Sequence, residues 1–159
     1  FGLSENLDIP REDAQTYIDT YLARFPQVQD FIQRTIEQAE QDGYATTLFG
    51  RRRPVPELKA RNRQTRGFGE RLAVNFVMQG TAADIIKAAM VAIHRRLREE
   101  GRAARLVLQV HDELLLEVPE VETSAVRDLV REEMCGAYPL DPPLAVDVGL
   151  GDDWNEAKA

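Results

Sequence analysis

The triplet His111-Asp112-Glu113 is the segment of this chain whose residue types are best suited to chemistry. It lies between two apolar runs, residues 106–110 and 114–118, which predicts a β-hairpin with charge at its tip. Phosphoryl transfer depends on hard cations held by carboxylate oxygens and aimed at phosphate. Asp112 is therefore a candidate Mg²⁺ ligand, with Glu113 as a second oxygen donor. Taken without other information, the same residues also fit an ordinary polar turn.

A second group of polar residues recurs every four positions: Arg71, Asn75 and Gln79. On a helix this spacing places all three side chains on one face. Arginine, asparagine and glutamine can donate hydrogen bonds to the minor-groove acceptors that every base pair presents. Such a face suits contact with a duplex without reading its sequence. The alternative is a polar helix face in contact with water.

Basic residues are concentrated between residues 51 and 71, where eight of them stand against two acidic ones, although the whole chain has a net charge of −7. The acidic total argues against a protein that coats nucleic acid over its whole surface. The local excess, which opens with Arg51, Arg52 and Arg53, suits a localised contact with a polyanion. A solvated loop is the alternative interpretation.

Two amphipathic helices are predicted in the first third of the chain. Apolar residues follow helical spacing from residue 14 to residue 25, where Pro26 interrupts it, and again from 28 to 39, where Gly43 ends it. Residues 44–48 then predict a short strand, followed by a turn at Phe49-Gly50 that leads into the arginines.

A longer helical stretch is predicted from Gly69 to Gly101. Within it, Gly80 predicts a kink or break, because Thr81 and Asp84 then resemble the capping box of a new helix. This stretch contains Arg71, Asn75 and Gln79, so it is the element that must present them.

The period changes from helix to strand after Gly101. The predicted hairpin is followed by a helix over residues 120–135 and by a last strand over 144–150, where apolar and other residues alternate. Helices and strands do not alternate in a βαβ rhythm. The pattern therefore predicts an α+β fold, with helices packed on a mainly antiparallel sheet.

The composition is that of a globular domain: 159 residues, of which 43% are hydrophobic and 30% are charged. No uninterrupted apolar run approaches the roughly 20 residues that span a bilayer, so no membrane association is expected. Cys135 is the single cysteine, which excludes an internal disulfide and favours a reducing cytoplasm. Because the chain begins at Phe1 without an initiator methionine, we expect it to be a piece of a longer protein.

The segment QVHDELLLEV, residues 109–118, resembles the third motif of family A DNA polymerases. That motif consists of a hydrophobic strand, Val-His-Asp-Glu and another hydrophobic strand. The resemblance implies that Asp112 binds the catalytic metals and that Glu113 supports the metal site. It also implies that His111 lies near the primer terminus.

The segment ERLAVNFVMQGTAAD, residues 70–84, resembles the helix that enters the palm in the same family. The resemblance implies that Arg71, Asn75 and Gln79 contact primer–template DNA. Phe76-Val77 stands where relatives often carry Ala-Pro, which leaves the three polar positions unchanged.

The rest of the chain also resembles this family, from TLFGRRR, residues 47–53, to GLGDDW, residues 149–154. The opening segment is similar to the region between the nucleotide-binding fingers helix and the palm. The arginines Arg51, Arg52 and Arg53 are then expected either to contact DNA phosphates or to brace a neighbouring subdomain. The implied organisation is a fingers part over about residues 1–70 and a palm part over about 71–159, with a palm-type sheet that carries the hairpin.

The resemblance implies a parent enzyme that adds deoxynucleotides (dNTPs) to a primer 3′ end on primer–template DNA. Such an enzyme uses two Mg²⁺ ions and works in the bacterial cytoplasm, at the nucleoid. The other catalytic aspartate and the nucleotide-binding helix would come from the upstream part of the same polymerase, so the isolated chain is expected to be inactive. The sequence gives little reason to expect that another acidic residue replaces that aspartate; the residues considered are Asp84, Asp147, Asp152 and Asp153.

Two alternatives remain open at this stage. One is a metal-dependent phosphodiesterase that uses Asp112 and Glu113, which would require ligands that the sequence does not display. The other is a duplex-binding module without catalysis, which would use the helix face and the arginines.

Overall fold

The computed structural model describes residues 2–158 of the chain. Its helices are α1 Gly2–Leu7, α2 Arg11–Arg24, α3 Pro26–Asp42, α4 Arg63–Glu99 and α5 Thr123–Cys135. Its strands are β1 Tyr44–Thr46, β2 Arg52–Pro54, β3 Arg105–Val110 and β4 Glu113–Glu117. Short 3₁₀ helices cover Pro56–Lys59 and Glu120–Glu122.

The chain divides into two compact units, Phe1–Gly80 and Thr81–Ala159, so that α4 begins in the first and ends in the second. Within the described residues, β1 pairs with β2 and β3 pairs with β4, and both pairs are antiparallel. These pairs, together with the helices found within residues 2–158, confirm the predicted α+β class.

Helices α2 and α3 of the first unit match the two helices predicted from apolar spacing. Pro26 is the first residue of α3, where its missing N–H and fixed φ cost least. Gly43 ends α3 with a left-handed φ of 80°, and its N–H donates to the Ala39 carbonyl at 2.9 Å. Ala14 is the buried residue of α2, whereas its aromatic and isoleucine side chains stay exposed.

The core of the first unit lies where α3, the β1–β2 pair and the start of α4 meet. Its buried residues are Ala39, Ala45, Val55, Leu58 and Ala73. Strand β2 was not predicted, since the arginines that follow the turn at Phe49-Gly50 were assigned to no strand. It forms because Ala45 pairs with Arg53 across the ladder, a contact that local sequence patterns do not show.

Helix α4 is unbroken across Gly80, so the predicted helix break is wrong. The helix also begins earlier than predicted, because the Asn62 carboxamide oxygen accepts hydrogen bonds from the backbone N–H groups of Gln64 and Thr65 at 2.8 and 3.1 Å. Because α4 runs from Arg63 to Glu99, Thr81 and Asp84 lie inside the helix. Both are buried, and they do not form a capping box.

Glycine at position 80 serves close packing instead of a helix break. A Cβ atom there would lie 2.7 Å from Cγ2 of Thr47 and 3.3 Å from Cε2 of Phe76. Thr47 is held in place, because its N–H donates to the Arg51 carbonyl and its hydroxyl accepts from the Arg51 N–H. Gly80 therefore lets α4 lie against the β1–β2 loop.

By length and composition alone, α4 is long and apolar enough to cross a membrane, although no uninterrupted apolar run in the sequence approaches the length of a membrane span. Core helices of soluble proteins can have the same length and apolar composition. Helix α4 supplies apolar side chains to the core of each unit, with Ala73 in the first and Ile93 and Leu97 in the second.

The second unit packs α5 and the β3–β4 hairpin against the C-terminal half of α4. Its buried core consists of Ile93, Leu97, Ala104, Val126, Leu129 and Val130. Arg96 of α4 donates to the carboxylates of Glu132 and Glu133 on α5, at 2.6 and 3.0 Å. These hydrogen bonds, with a third to Glu100, hold the pKa of Arg96 above its ordinary value.

Residues 144–150 form no strand, so the predicted last strand is wrong. Part of the alternation is present, since Leu144, Val146 and Val148 are half-buried and Ala145 and Asp147 between them are exposed, but it ends before Leu150, which is exposed. A strand also requires a hydrogen-bonded partner, and no described segment pairs with this one.

We predict that Gly80→Ala destabilises the chain by about 1–3 kcal/mol, because the new methyl group would overlap Thr47. Gly67 is the matched control, since it lies in the same helix and a Cβ there would have Nη1 of Arg71 as its nearest neighbour, at an ordinary 3.8 Å. Gly67→Ala should stabilise the chain by about 0.5–1 kcal/mol through helix propensity alone. Urea unfolding measures both, and equal effects of the two substitutions would contradict the close-packing explanation.

Candidate functional site

The predicted hairpin is present, and its tip is formed by His111 and Asp112. The last pair of the ladder joins Val110 to Glu113, which leaves a two-residue turn between β3 and β4. His111 has a left-handed φ of 54°, a conformation in which histidine is enriched among non-glycine residues. The side-chain amide of Gln109 donates to the His111 carbonyl at 3.0 Å, which helps to fix this turn.

The hairpin is attached to the second unit mainly through one face of β4. Leu114 and Leu116 are half-buried and pack on the core cluster of α4 and α5. At the other end of the hairpin, the Glu122 carboxylate accepts hydrogen bonds from the N–H groups of Ala103 and Ala104 at 3.1 to 3.2 Å. The base of the hairpin is thus fixed by packing and hydrogen bonds.

The pairing register of the two hairpin strands is irregular at Val107. The pairing passes from Leu106↔Leu116 to Leu108↔Leu115, so Val107 has no partner in the register. Val107 and Leu108 are exposed, and much of β3 therefore faces outward. The apolar character of this strand predicted its existence but not its exposure.

Asp112 and Glu113 are adjacent and exposed at the tip, as the sequence predicted, and His111 is exposed beside them. Neither carboxylate forms an ion pair with another residue in the range 2–158. Across that range, no group of three or more His, Cys, Asp or Glu side chains is arranged to hold a metal ion. The tip offers hard oxygen donors of the type that Mg²⁺ prefers, but these two residues make up only part of a ligand set.

The three polar residues of α4 share one exposed face in the first unit. Arg71, Asn75 and Gln79 are all exposed, while Leu72, Ala73 and Phe76 point into the core. None of the three polar side chains forms a hydrogen bond with another described residue. They are free to bind an external partner, as minor-groove contact requires.

The arginines at residues 51–53 lie on the loop and second strand of the β1–β2 pair, and all three are exposed. The guanidinium of Arg52 stacks over the ring of Tyr44 at 4.7 Å, and that of Arg53 lies 6.0 Å from the ring of Phe76 on α4. Such stacking orients arginine without neutralising its charge. The arrangement therefore keeps both uses of these residues open, phosphate contact and bracing.

The predicted site residues fall into two groups. The first unit contains Arg51, Arg52 and Arg53 together with the α4 face, and Arg53 links β2 to α4 through Phe76. The second unit contains the hairpin tip.

Sequence reasoning missed two residues that the structure adds to these groups. Gln109 supports the tip through the His111 carbonyl, and the signal for it was a lone polar residue at the end of an apolar strand. Phe68 is an exposed aromatic residue one turn before Arg71. Its helical spacing from Asn75 was visible in the sequence, but its exposure was not.

Comparisons with known proteins identify the family of this chain. Residues 1–156 match the family model of DNA polymerase family A. The chain is 51% identical to the thermostable DNA polymerase I of Thermus aquaticus over 156 residues, which is 98% of this chain and 18% of that protein. It is 50% identical to DNA polymerase I of Mycobacterium bovis, over 99% of this chain and 17% of that protein.

A solved structure has the same fold: the POL domain of Pol1 from M. smegmatis, in complex with DNA primer-template and dNTP. The TM-score is 0.94 at 47% sequence identity, over 99% of this chain and 28% of that one. The chain thus spans less than a fifth of the length of the curated relatives it matches. On the family match over nearly its whole length, and on identities near one half, the chain belongs to DNA polymerase family A.

Proposed function

We propose that this chain is the part of a bacterial DNA polymerase that carries one metal-binding carboxylate and a duplex-contacting helix face. The parent reaction is template-directed DNA synthesis, in which dNTPs are added to a primer 3′ end. The observation that carries the proposal is the exposed Asp112 at the tip of an anchored hairpin, within a family A sequence. Catalysis of this type depends mainly on positioning and electrostatic stabilisation.

The residues at the tip fit a Mg²⁺ ion in donor chemistry. Asp112 would be the direct ligand and Glu113 a supporting donor, with further carboxylate oxygens supplied by the upstream part of the same polymerase. When bound, two such ions would compensate phosphate charge and orient the reacting groups. The protein contributes a fixed tip for this purpose, through the Val110–Glu113 pair and the Gln109 hydrogen bond.

The α4 face is the proposed contact with the primer–template duplex. Arg71, Asn75 and Gln79 would donate hydrogen bonds to minor-groove acceptors, and His111 would lie near the primer terminus. Arg51, Arg52 and Arg53 would contact DNA phosphates or brace a neighbouring subdomain. In this proposal, about residues 1–70 belong to the fingers and about 71–159 to the palm.

The parent would act in the bacterial cytoplasm, at the nucleoid, since the relatives are bacterial DNA polymerase I proteins. For the isolated chain, a second candidate function is duplex binding without catalysis. The incomplete set of carboxylates at the tip favours it, because a two-metal site needs oxygens from more than one segment.

We predict that Asp112→Asn in the intact parent lowers the rate of nucleotide addition by about 10²–10³-fold or more, because the amide keeps the shape of the side chain but loses its charge. Glu113→Gln should have a much smaller effect. Single-turnover primer extension measures both rates, and DNA binding should remain largely unchanged.

Asp147→Asn is the matched control for this experiment, since it removes an exposed carboxylate outside the tip. Extension by the Asp112→Asn parent within a few-fold of wild type would exclude Asp112 as the metal ligand.

We predict that Arg71→Ala and Gln79→Ala weaken primer–template binding equally on A·T-only and G·C-only duplexes. Both classes of base pair present acceptors in the minor groove, so the lost hydrogen bonds cost similar energies. A hydrogen bond is worth about 0.5–1.5 kcal/mol for a neutral donor and about 1.5–3 kcal/mol for a charged one, so Arg71→Ala should have the larger effect. Equilibrium binding titrations measure this, with Lys87→Ala as the control for a charge elsewhere on α4. A defect confined to one class of base pair would contradict sequence-neutral contact.

A further inference from the structure

The turn that carries Asp112 has a backbone conformation that most residues avoid. His111 has a left-handed φ of 54°. In this region the Cβ atom of an L-residue lies too close to the following carbonyl oxygen. Histidine enters the region more often than most residues do, but only glycine enters it without a steric cost. A contact that favours this φ therefore decides how firmly the turn is held.

Gln109 makes such a contact from outside the turn. It lies on β3 with Leu114 as its register partner, and its side chain is exposed. The side-chain amide donates to the His111 carbonyl at 3.0 Å. That carbonyl belongs to the planar peptide group that joins His111 to Asp112. The hydrogen bond therefore holds the peptide plane from which the Asp112 side chain leaves the turn.

The strand ladder and the core do not hold the turn by themselves. The last ladder pair joins Val110 to Glu113, so His111 and Asp112 have no partner in the register. The side chains of both turn residues are exposed. Packing on the core begins only at Leu114, beyond the turn. The hydrogen bond from Gln109 thus reaches a peptide group that neither the ladder nor the core constrains directly.

We propose that Gln109 is a positioning residue of the metal site, which fixes the turn through the His111 carbonyl so that the Asp112 carboxylate is in place before a divalent cation binds. In this role Gln109 contacts neither the cation nor DNA. The proposal rests on the proposed function, since it requires Asp112 to be a metal ligand. Mg²⁺ demands near-ideal geometry, so a carboxylate that moves between positions binds it more weakly than one held in a single position.

The first test measures metal binding without turnover. Mn²⁺ prefers the same oxygen ligands, and free Mn²⁺ is quantified by electron paramagnetic resonance. The ion is titrated into the intact parent with the matching dNTP and a primer that ends in a dideoxynucleotide, which has no 3′ hydroxyl to extend. The part of the binding that Asp112→Asn removes belongs to the tip.

Gln109→Met keeps the length of the side chain but has no donor. It should weaken the Asp112-dependent Mn²⁺ binding about 2- to 10-fold, the factor that corresponds to one hydrogen bond of about 0.5–1.5 kcal/mol. Primer–template affinity should stay unchanged, since Gln109 does not contact DNA. Gln38→Met is the matched control, because it removes an exposed amide that donates to Asp42 on α3 at 2.8 Å. This control should leave Mn²⁺ binding unchanged.

The second test measures the turn itself in the intact parent without metal or DNA. Hydrogen exchange of the backbone amides of residues 109–113 reports how often the turn opens. Gln109→Met should accelerate this exchange about 2- to 10-fold, by the same hydrogen-bond arithmetic. Gln109→Glu should also accelerate it, because an ionised carboxylate has the same length but can only accept hydrogen bonds. Unchanged exchange in both variants would overturn the proposal.

A double-mutant comparison tests whether Gln109 acts through Asp112. In the Asp112→Asn parent, Gln109→Met should cause no further loss of Mn²⁺ binding, because the two residues act as one unit. A further loss of about 2-fold or more there would overturn the proposal, since Gln109 would then act independently. Mn²⁺ binding that Asp112→Asn leaves intact would contradict the proposed function. Binding that is lost with Asp112→Asn but retained with Gln109→Met would overturn this inference alone.

Discussion

Continuity of α4 is the constraint on which the rest of the structure depends. The helix passes through Gly67, Gly69 and Gly80, each of which weakens a helix interior by about 0.5–1 kcal/mol relative to alanine. Two of these glycines lie where another segment touches the helix: Gly69 against the 3₁₀ helix at Glu57, and Gly80 against Thr47. The weak helix propensity is offset by close packing. Within this helix, the four-residue spacing of Arg71, Asn75 and Gln79 produces one exposed face.

The hairpin holds two carboxylates, those of Asp112 and Glu113, in solvent while its strands and their contacts keep the tip in position. Leu114 and Leu116 pack against the core cluster along β4, and the Glu122 carboxylate fixes the chain entering β3. Its tip is fixed by the ladder pair next to it and by the Gln109 amide on the His111 carbonyl. Exposure leaves Asp112 accessible to a cation and to phosphate, and the anchored base limits how far the tip can move.

The sequence predicted those elements whose signals are local. Proline and glycine marked the ends of α3, and apolar periodicity identified α2, α5 and the hairpin that carries Asp112. Features that depend on distant partners were missed or wrong. Arg52 and Arg53 were assigned to no strand, because their pairing with Thr46 and Ala45 is not a local property. Gly80 indicated a helix break because the contact with Thr47 is invisible in a single sequence. Residues 144–150 indicated a strand, but they have no partner strand among the described residues.

The residues of the candidate site also divide into those that the sequence predicted and those that only the structure shows. The identities of Asp112, Glu113, Arg71, Asn75 and Gln79 were available from residue type and spacing, strengthened by the family resemblance. The Gln109 hydrogen bond depends on the left-handed φ of His111, which no residue pattern specified. Phe68 was equally hidden, since only the structure shows that its ring is exposed.

The central claim is that Asp112 is one part of a metal site that the upstream part of the same polymerase completes. Primer extension with Mg²⁺ and all four dNTPs tests it most directly, using this chain alone and this chain mixed with the upstream polymerase fragment. We predict no extension by the chain alone. The mixture should extend the primer, and Asp112→Asn should abolish this extension. Extension by the chain alone, lost on Asp112→Asn, would contradict it, because the active site would then lie entirely within these residues.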